Sequence, residues 1–347
     1  VTRQLFVVAS LALLAGCQRP ATSPTPPTSG RSGTTEIVYI PKNTGNPYFS
    51  EVVRGFEEQA KEAGIGFTTT APSTAAATSQ IPFIKEQIQR KVAAIALTPN
   101  SPDALNPVLD EARQAGIAVL TVDADLVGNE SHRAVAILPT DFSKIGESQV
   151  ELLGSQIGYA GEIAILSATR DAPNQNAWIE GMKKALQQPK YAKMTLVEIV
   201  YGDDEPEKSA TETRGLLSKH PDLRGIIAPT SVGLASAAQV LMIAGKYPGG
   251  PRAHGPGIAL TGLSTPNQMK RYVQDGVVQA FQLWSPRDMG RIACDLAARL
   301  ARGEGAPTPG TELDFGALGK RTVQPNGVIF AGPLVTFDKT NVGQFDF

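Results

Sequence analysis

The stretch EIVYIPKNTGNPYFSEVVRGFEEQAKEAG, residues 36–64, decides how the rest of the chain is read. Ile37, Val38, Tyr39 and Ile40 make a short apolar, β-branched run of the kind that forms buried parallel strands. Pro41-Lys42-Asn43-Thr44-Gly45-Asn46-Pro47 follows as a loop of turn formers with one cation. Ser50 is the expected N-cap of a helix whose apolar stripe is Val52, Val53, Phe56, Ala60 and Ala63, closed by Gly64. Lys42 and Asn43 therefore stand at the carboxyl end of a strand, where open α/β sheets place their ligands. Tyr48 and Phe49 set flat apolar faces beside these polar groups. An aromatic plate flanked by Lys and Asn suits a molecule with C–H faces to stack and hydroxyls to pair. The alternative is a tight β-α connection with its aromatics in the core.

The same plan recurs along the chain. Residues 67–70, 92–97 (VAAIAL), 117–122 and 134–138 read as strands, and 79–90 and 104–115 as helices. A second series follows, with strands expected at 162–166, 195–200, 225–228, 258–262 and 277–284. Helices are expected between them, and a last long one over 286–302. Strand after helix after strand predicts an α/β fold with two similar, doubly wound parallel-sheet lobes facing each other across a cleft. A length of 347 residues also exceeds one ordinary core.

Composition excludes some classes. Hydrophobic residues at 41% and charged residues at 19% describe an ordinary globule. Thirty-two basic against 33 acidic residues leave a net charge of −1, which gives no whole-chain electrostatic case for nucleic acid.

The two cysteines have separate explanations. In VTRQLFVVASLALLAGCQRP, Arg3 precedes an apolar core over 5–14 and then small residues, a secretory signal layout too short to span a bilayer. Its ending, Leu14-Ala15-Gly16-Cys17, resembles the bacterial lipobox, which implies a lipidated Cys17 and signal removal over 1–17. A buried apolar segment with a chance cysteine is the alternative. Residues 18–35, rich in Pro, Ser, Thr and Gly, cannot bury enough surface to offset chain entropy and are expected to be a flexible tether. The membrane is then reached only through the anchor, and the domain lies outside the cytoplasm. Cys294, on an apolar helical stripe, reads as a buried thiol.

Candidate chemistry gathers at strand ends. Asp123 and Asp125 follow the 117–122 strand and invite an acid/base or metal reading. No histidine or third carboxylate lies at ligand spacing, so no metal and no cofactor is expected. A carboxylate accepting ligand hydroxyls is the simpler use of Asp123, with a capping or salt-bridged aspartate as the alternative. Asn174-Gln175-Asn176 is the richest amide cluster, and amides both donate and accept. Asp203-Asp204-Glu205 reads instead as a solvated turn or helix start. Trp284 ends a strand and either closes one side of a pocket or is buried without a ligand. The absence of a Gly-rich phosphate loop, nucleophile elbow or nucleotide fingerprint argues against an enzyme.

With these stretches assembled, the chain resembles the type I periplasmic sugar-binding proteins of ABC importers. Within that group it looks most like the rhamnose-binding and autoinducer-2-binding subfamily. The marks are IPKNTGNPYF at 40–49, NQNAWIEGMKK at 174–184, YGDD at 201–204, IIAPTSVG at 226–233 and GLSTPNQMKRYVQDG at 262–276. The resemblance implies capture of a monosaccharide, with a rhamnose-like deoxysugar favoured, and delivery to an ABC permease by a monomer. Uptake or sensing of autoinducer-2 or another small polyol is the alternative, and an extracellular enzyme on the same fold comes third. Lys42 and Asp123 would hold ligand from one lobe, and Asn174, Gln175, Pro229 and Ser231 from the other, with Asn43, Phe49, Asp125 and Trp284 as further candidates. Autoinducer-2 proteins carry aspartate where this chain has Asn174, which favours a neutral sugar. Chain crossings are placed near Pro139, Trp284 and Gly310. They divide the protein into lobes of 36–139 plus 285–309 and 140–284 plus 310–347.

Overall fold

The computed structural model describes residues 1–2 and 35–347. The signal segment from residue 3 on, Cys17 and the tether through residue 34 lie outside the described residues. Residues 35–347 belong to one compact unit built on two large sheets.

The first series is β1 (Glu36–Ile40), α1 (Pro47–Ala63), β2 (Gly66–Thr69), α2 (Ile81–Arg90), β3 (Ala94–Leu97), α3 (Asn106–Gln114), β4 (Ala118–Val122) and β5 (Val135–Leu138). The second begins with α4 (Phe142–Ile157), β6 (Ala160–Ser167), α5 (Pro173–Leu186), β7 (Lys193–Tyr201) and α6 (Pro206–Lys219). It continues with β8 (Leu223–Ala228), α7 (Ser231–Ala244), β9 (Ala259–Gly262), α8 (Pro266–Gln274) and β10 (Ala280–Leu283). The chain closes with α9 (Pro286–Ala301), β11 (Glu312–Asp314), β12 (Lys320–Thr322), β13 (Val328–Phe330) and β14 (Val335–Asp338).

The first sheet has the order β13-β5-β4-β3-β1-β2 and is parallel throughout. The second has the parallel order β7-β6-β8-β9. A parallel bridge from Leu263 to Gln282 brings β10 alongside β9, and β10 pairs antiparallel with β14. Central strands such as β3, with all four residues buried, are apolar throughout because helices cover both faces. Two doubly wound lobes result, as the alternation of elements predicts.

Helix α9 returns to the first lobe and packs along α1. The helices approach closely because each presents a glycine at the crossing. A Cβ built on Gly290 would fall within the contact distance of the Val52 carbonyl oxygen, and one on Gly55 would overlap the Arg287 carbonyl.

Two expectations are corrected. Helix α1 is capped not by Ser50 but by Asn46, whose Oδ1 accepts from Tyr48 N at 3.1 Å, with Pro47 at the first helical position. Proline has no N–H to lose there and its φ is already helical, so the helix starts one turn earlier. The assignment of 310–347 to the second lobe is also wrong in part. Strand β13 pairs with β5 in the first sheet, so the last crossing lies between Phe330 and Val335 rather than at Gly310. The apolar run Val328-Ile329-Phe330 closes an edge of β5 that would otherwise be open, and Ile329 is fully buried there. Arg133 anchors the turn before it, donating from Nη1 to the Asn326 carbonyl at 2.6 Å.

Candidate ligand site

All but one of the site's loops follow the carboxyl ends of parallel strands. Lys42 comes from the loop after β1, Asp123 from that after β4, Asn174 and Gln175 from the first turn of α5, and Asp204 from the turn after β7. Pro229, Thr230 and Ser231 follow β8, Leu263 follows β9, and Trp284 follows β10, which pairs antiparallel with β14 in a two-stranded sheet of its own. These residues line a cavity of about 350 Å³, its mouth included, with Tyr48, Phe49 and Trp178 as aromatic wall.

A chain of hydrogen bonds crosses this cavity from lobe to lobe. Trp284 Nε1 donates to Tyr48 Oη at 2.8 Å, and Tyr48 Oη donates to Asp123 Oδ1 at 2.6 Å. Asn174 Nδ2 donates to Asp123 Oδ2 at 3.0 Å, while Asn174 Oδ1 accepts from Lys42 Nζ at 2.7 Å. Lys42 and Asp123 are each 3% exposed and Asn174 2%, so solvent does little to screen these contacts. Asn174 is the one side chain that satisfies both ions: its amide donates to the carboxylate and accepts from the ammonium.

Burial dominates the electrostatics. It pushes the Asp123 carboxyl up to about 6, against the opposing pull of Lys42 and the Tyr48 hydrogen bond. It also lowers Lys42, which Asp123 and then Asp204 partly restore, and it raises Asp204. Among the described residues, Asn174 is the only hydrogen-bond partner of the Lys42 ammonium. Two of its three donors thus have no partner among the described residues. Asp123 adopts a left-handed backbone, φ 69°, which turns its carboxylate off the strand axis.

Of the sequence candidates, Lys42, Phe49, Asp123, Asn174, Gln175, Pro229, Ser231 and Trp284 line the cavity. Asn43 is buried beside it without lining it. Asp125 is a correction: its carboxylate is taken by Arg133 Nε at 2.9 Å, Thr121 Oγ1 at 2.7 Å and the Leu126 amide at 2.9 Å. Two side chains and one N–H leave it as the buried anchor of the β4 loop. Gln175 holds loops together, accepting from Ser167 Oγ at 2.8 Å and donating to the Pro229 carbonyl at 2.9 Å. Asn100 donates to the Lys42 carbonyl at 2.9 Å and fixes that loop, while Thr98 bonds Tyr39 Oη at 2.7 Å.

Sequence reasoning missed the hydroxyl role of Tyr48, the wall residue Trp178, and Asp204. The Asp203-Asp204-Glu205 run is not uniformly solvated: Asp203 turns out to pair with Lys208, whereas Asp204 is buried and lines the cavity. Its place after a parallel strand was the available signal. Among the described residues, no group of three His, Cys, Asp or Glu side chains is placed to hold a metal ion.

Two parallel sheets whose strand-end loops converge on a polar, aromatic-walled cleft define a two-lobed ligand-binding protein. The periplasmic binding protein domain matches residues 37–305. A sugar ABC transporter protein from Actinomyces odontolyticus is 36% identical, over 90% of this chain and 98% of that one, with a TM-score of 0.70. An ABC transporter solute-binding protein from Clostridium phytofermentas, solved with bound L-rhamnose, is 31% identical over 90% and 98%, with a TM-score of 0.83. LsrB from Clostridium saccharobutylicum, in complex with AI-2, shares the fold at 24% identity over 90% and 100%, with a TM-score of 0.83. The chain belongs to the periplasmic binding protein family, among the type I sugar-binding proteins of ABC importers. That family works outside the cytoplasm, and no helix among the described residues is long and apolar enough to cross a membrane.

Proposed function

We propose that the protein captures an uncharged monosaccharide, with a rhamnose-like deoxysugar favoured, and presents the closed, loaded form to an ABC permease. The carrying observation is the Lys42–Asn174–Asp123 relay, which brings donors and acceptors from both lobes to one aromatic-walled cavity. Sugars need that combination: carboxylates accept hydroxyls, the ammonium and amide engage ring and hydroxyl oxygens, and aromatic faces take the C–H surface. A deoxysugar's methyl would sit against Phe49 or Trp178. The protein catalyses no reaction in this reading, and it acts as a monomer. Lipidation of Cys17 holds it to the membrane through the tether. Autoinducer-2 is the second reading, supported by the fold shared with LsrB and opposed by the amide at Asn174.

The test is titration calorimetry, after unfolding and refolding to strip bound ligand, with L-rhamnose, L-fucose, D-ribose, D-galactose and autoinducer-2. One sugar is expected to bind one-to-one. Asp123→Ala is expected to cost roughly 2–5 kcal/mol of binding, because it leaves a desolvated site without its acceptor. Silence across the panel from folded protein would remove the monosaccharide assignment. A loss below about 0.5 kcal/mol would make Asp123 structural.

A further inference from the structure

We infer that Asp204 is a second ligand-binding carboxylate of this cleft, accepting a sugar hydroxyl on Oδ2, and that together with Asp123 it restricts the site to uncharged sugars. The inference rests on the sugar-binding reading and adds to it a residue and a physical reason for the uncharged class.

Asp204 ends the β7 segment in a two-residue left-handed turn, with φ 54° at Asp203 and 55° at Asp204. Successive non-glycine residues in that region are costly and persist where the surroundings hold them. This turn sends the two side chains to different places. Asp203 pairs with Lys208 and is part-exposed, whereas Asp204 is buried in the cavity wall. Thr230 Oγ1 donates to Asp204 Oδ1, tying the turn to the loop after β8. Among the described residues that is the only hydrogen bond its side chain makes. A carboxylate has about four acceptor positions, so one bond leaves the others open in a residue that lines the cavity. Asp123, by contrast, has both oxygens engaged. A hydroxyl arriving from the cavity is the donor that Asp204 lacks.

Charge sets the ligand class. Among the residues lining the cavity, Lys42 is the one cation, against the carboxylates of Asp123 and Asp204. Burial lifts both carboxyls above the usual range, with Lys42 opposing in each case. A sugar acid or sugar phosphate would bring a third anion into the space, with no second cation to meet it. Like-charge juxtaposition of this kind discriminates by repulsion.

The experiment compares wild-type full chain with Asp204→Asn by titration calorimetry. The probes are L-rhamnose, L-fucose, D-ribose, D-galactose, single-deoxy analogues of whichever binds, D-galacturonate and D-ribose 5-phosphate. The substitution is expected to weaken the neutral sugar by about 10- to 100-fold, the range of a hydrogen bond to a charged group. For one deoxy analogue, wild type and variant should bind alike, because the hydroxyl that Asp204 accepts is already gone. The two anionic probes should bind wild type at least about 100-fold more weakly than the neutral sugar, and the variant less so.

A variant within about twofold of wild type, or an equal loss for every deoxy analogue, overturns the assignment and leaves the sugar-binding reading in place. Binding of no panel sugar by folded wild type overturns both. Should the variant fail to fold, wild type still decides: D-galacturonate held as tightly as the best neutral sugar overturns the inference.

Discussion

Asn174, on the first turn of α5, donates to Asp123 Oδ2 at 3.0 Å and accepts from Lys42 Nζ at 2.7 Å, so one amide bridges the two lobes through an opposite pair of charges. The bonds that cross the cleft are therefore made by groups that also line it. In the proposed reading, a ligand entering this space would compete with Asn174 for the same donors and acceptors.

Replacing Asn174 by Ala removes both contacts at once. The closed arrangement should lose population in ligand-free protein, seen as a larger radius of gyration in X-ray scattering. Sugar affinity should fall by about 5- to 150-fold, the cost of leaving a buried ion with an empty bonding position. Unchanged scattering and affinity would mean that the relay carries no closing energy.

Asp123 makes stability depend on pH in a defined direction. Its folded carboxyl titrates at about 6, whereas in the unfolded chain it titrates at roughly 3.9. The folded state thus holds a proton that the unfolded state has released, and this contribution to stability declines as pH rises from about 4 to 6. The groups that face it are Lys42, Tyr48, Asn174, Asp204 and, at longer range, Tyr39. Asp123→Asn should therefore stabilise ligand-free protein by roughly 1–3 kcal/mol at pH 7.5 and by much less at pH 4, measured by urea denaturation. An equal effect at both pH values would contradict the buried-charge account.

The α1–α9 crossing has no room for a methyl group. Gly290→Ala would drive its Cβ against the Val52 carbonyl, with Gly55 beside it, so the helices must separate or the backbone must bend. Urea denaturation should show a loss of roughly 1–3 kcal/mol, and more if the backbone cannot yield. A thermally neutral variant would show that the crossing is loose.

Both tryptophans of the chain, Trp178 and Trp284, line the cavity, with ring centroids 5.9 Å apart. Their intrinsic fluorescence should change in intensity or wavelength as sugar binds, with the same midpoint as calorimetry. Trp284→Phe keeps a flat face but loses the bond to Tyr48 Oη, and should weaken binding by about 3- to 10-fold. Saturation without any spectral change would place the ligand elsewhere.

Much of the architecture was legible because it follows from local patterning. VAAIAL reads as an apolar strand covered on both faces, and the 36–64 stretch shows strand, polar loop and helix within 29 residues. Most of the polar lining of the cavity was legible for a related reason: Lys42, Asp123 and Asn174 all fall where a parallel strand hands over to a helix. The misreadings were non-local. Asp125 looks equivalent to Asp123 in sequence, but Arg133, eight residues on, takes its carboxylate. Asp204 looks as solvated as Asp203 until Thr230, 26 residues on, is packed against it. Val328-Ile329-Phe330 gave no local sign of which sheet it would join, because its partner is an edge almost 200 residues earlier.

The alternating α/β plan and the strand-end placement of polar residues are written in the sequence, because periodicity and turn chemistry are short-range properties, and its long motifs carry the family resemblance. Which carboxylate faces the cavity and which is consumed by an arginine is fixed by long-range packing. The reason is physical: a charged side chain is free to bind only if nothing distant in the chain has already paired with it.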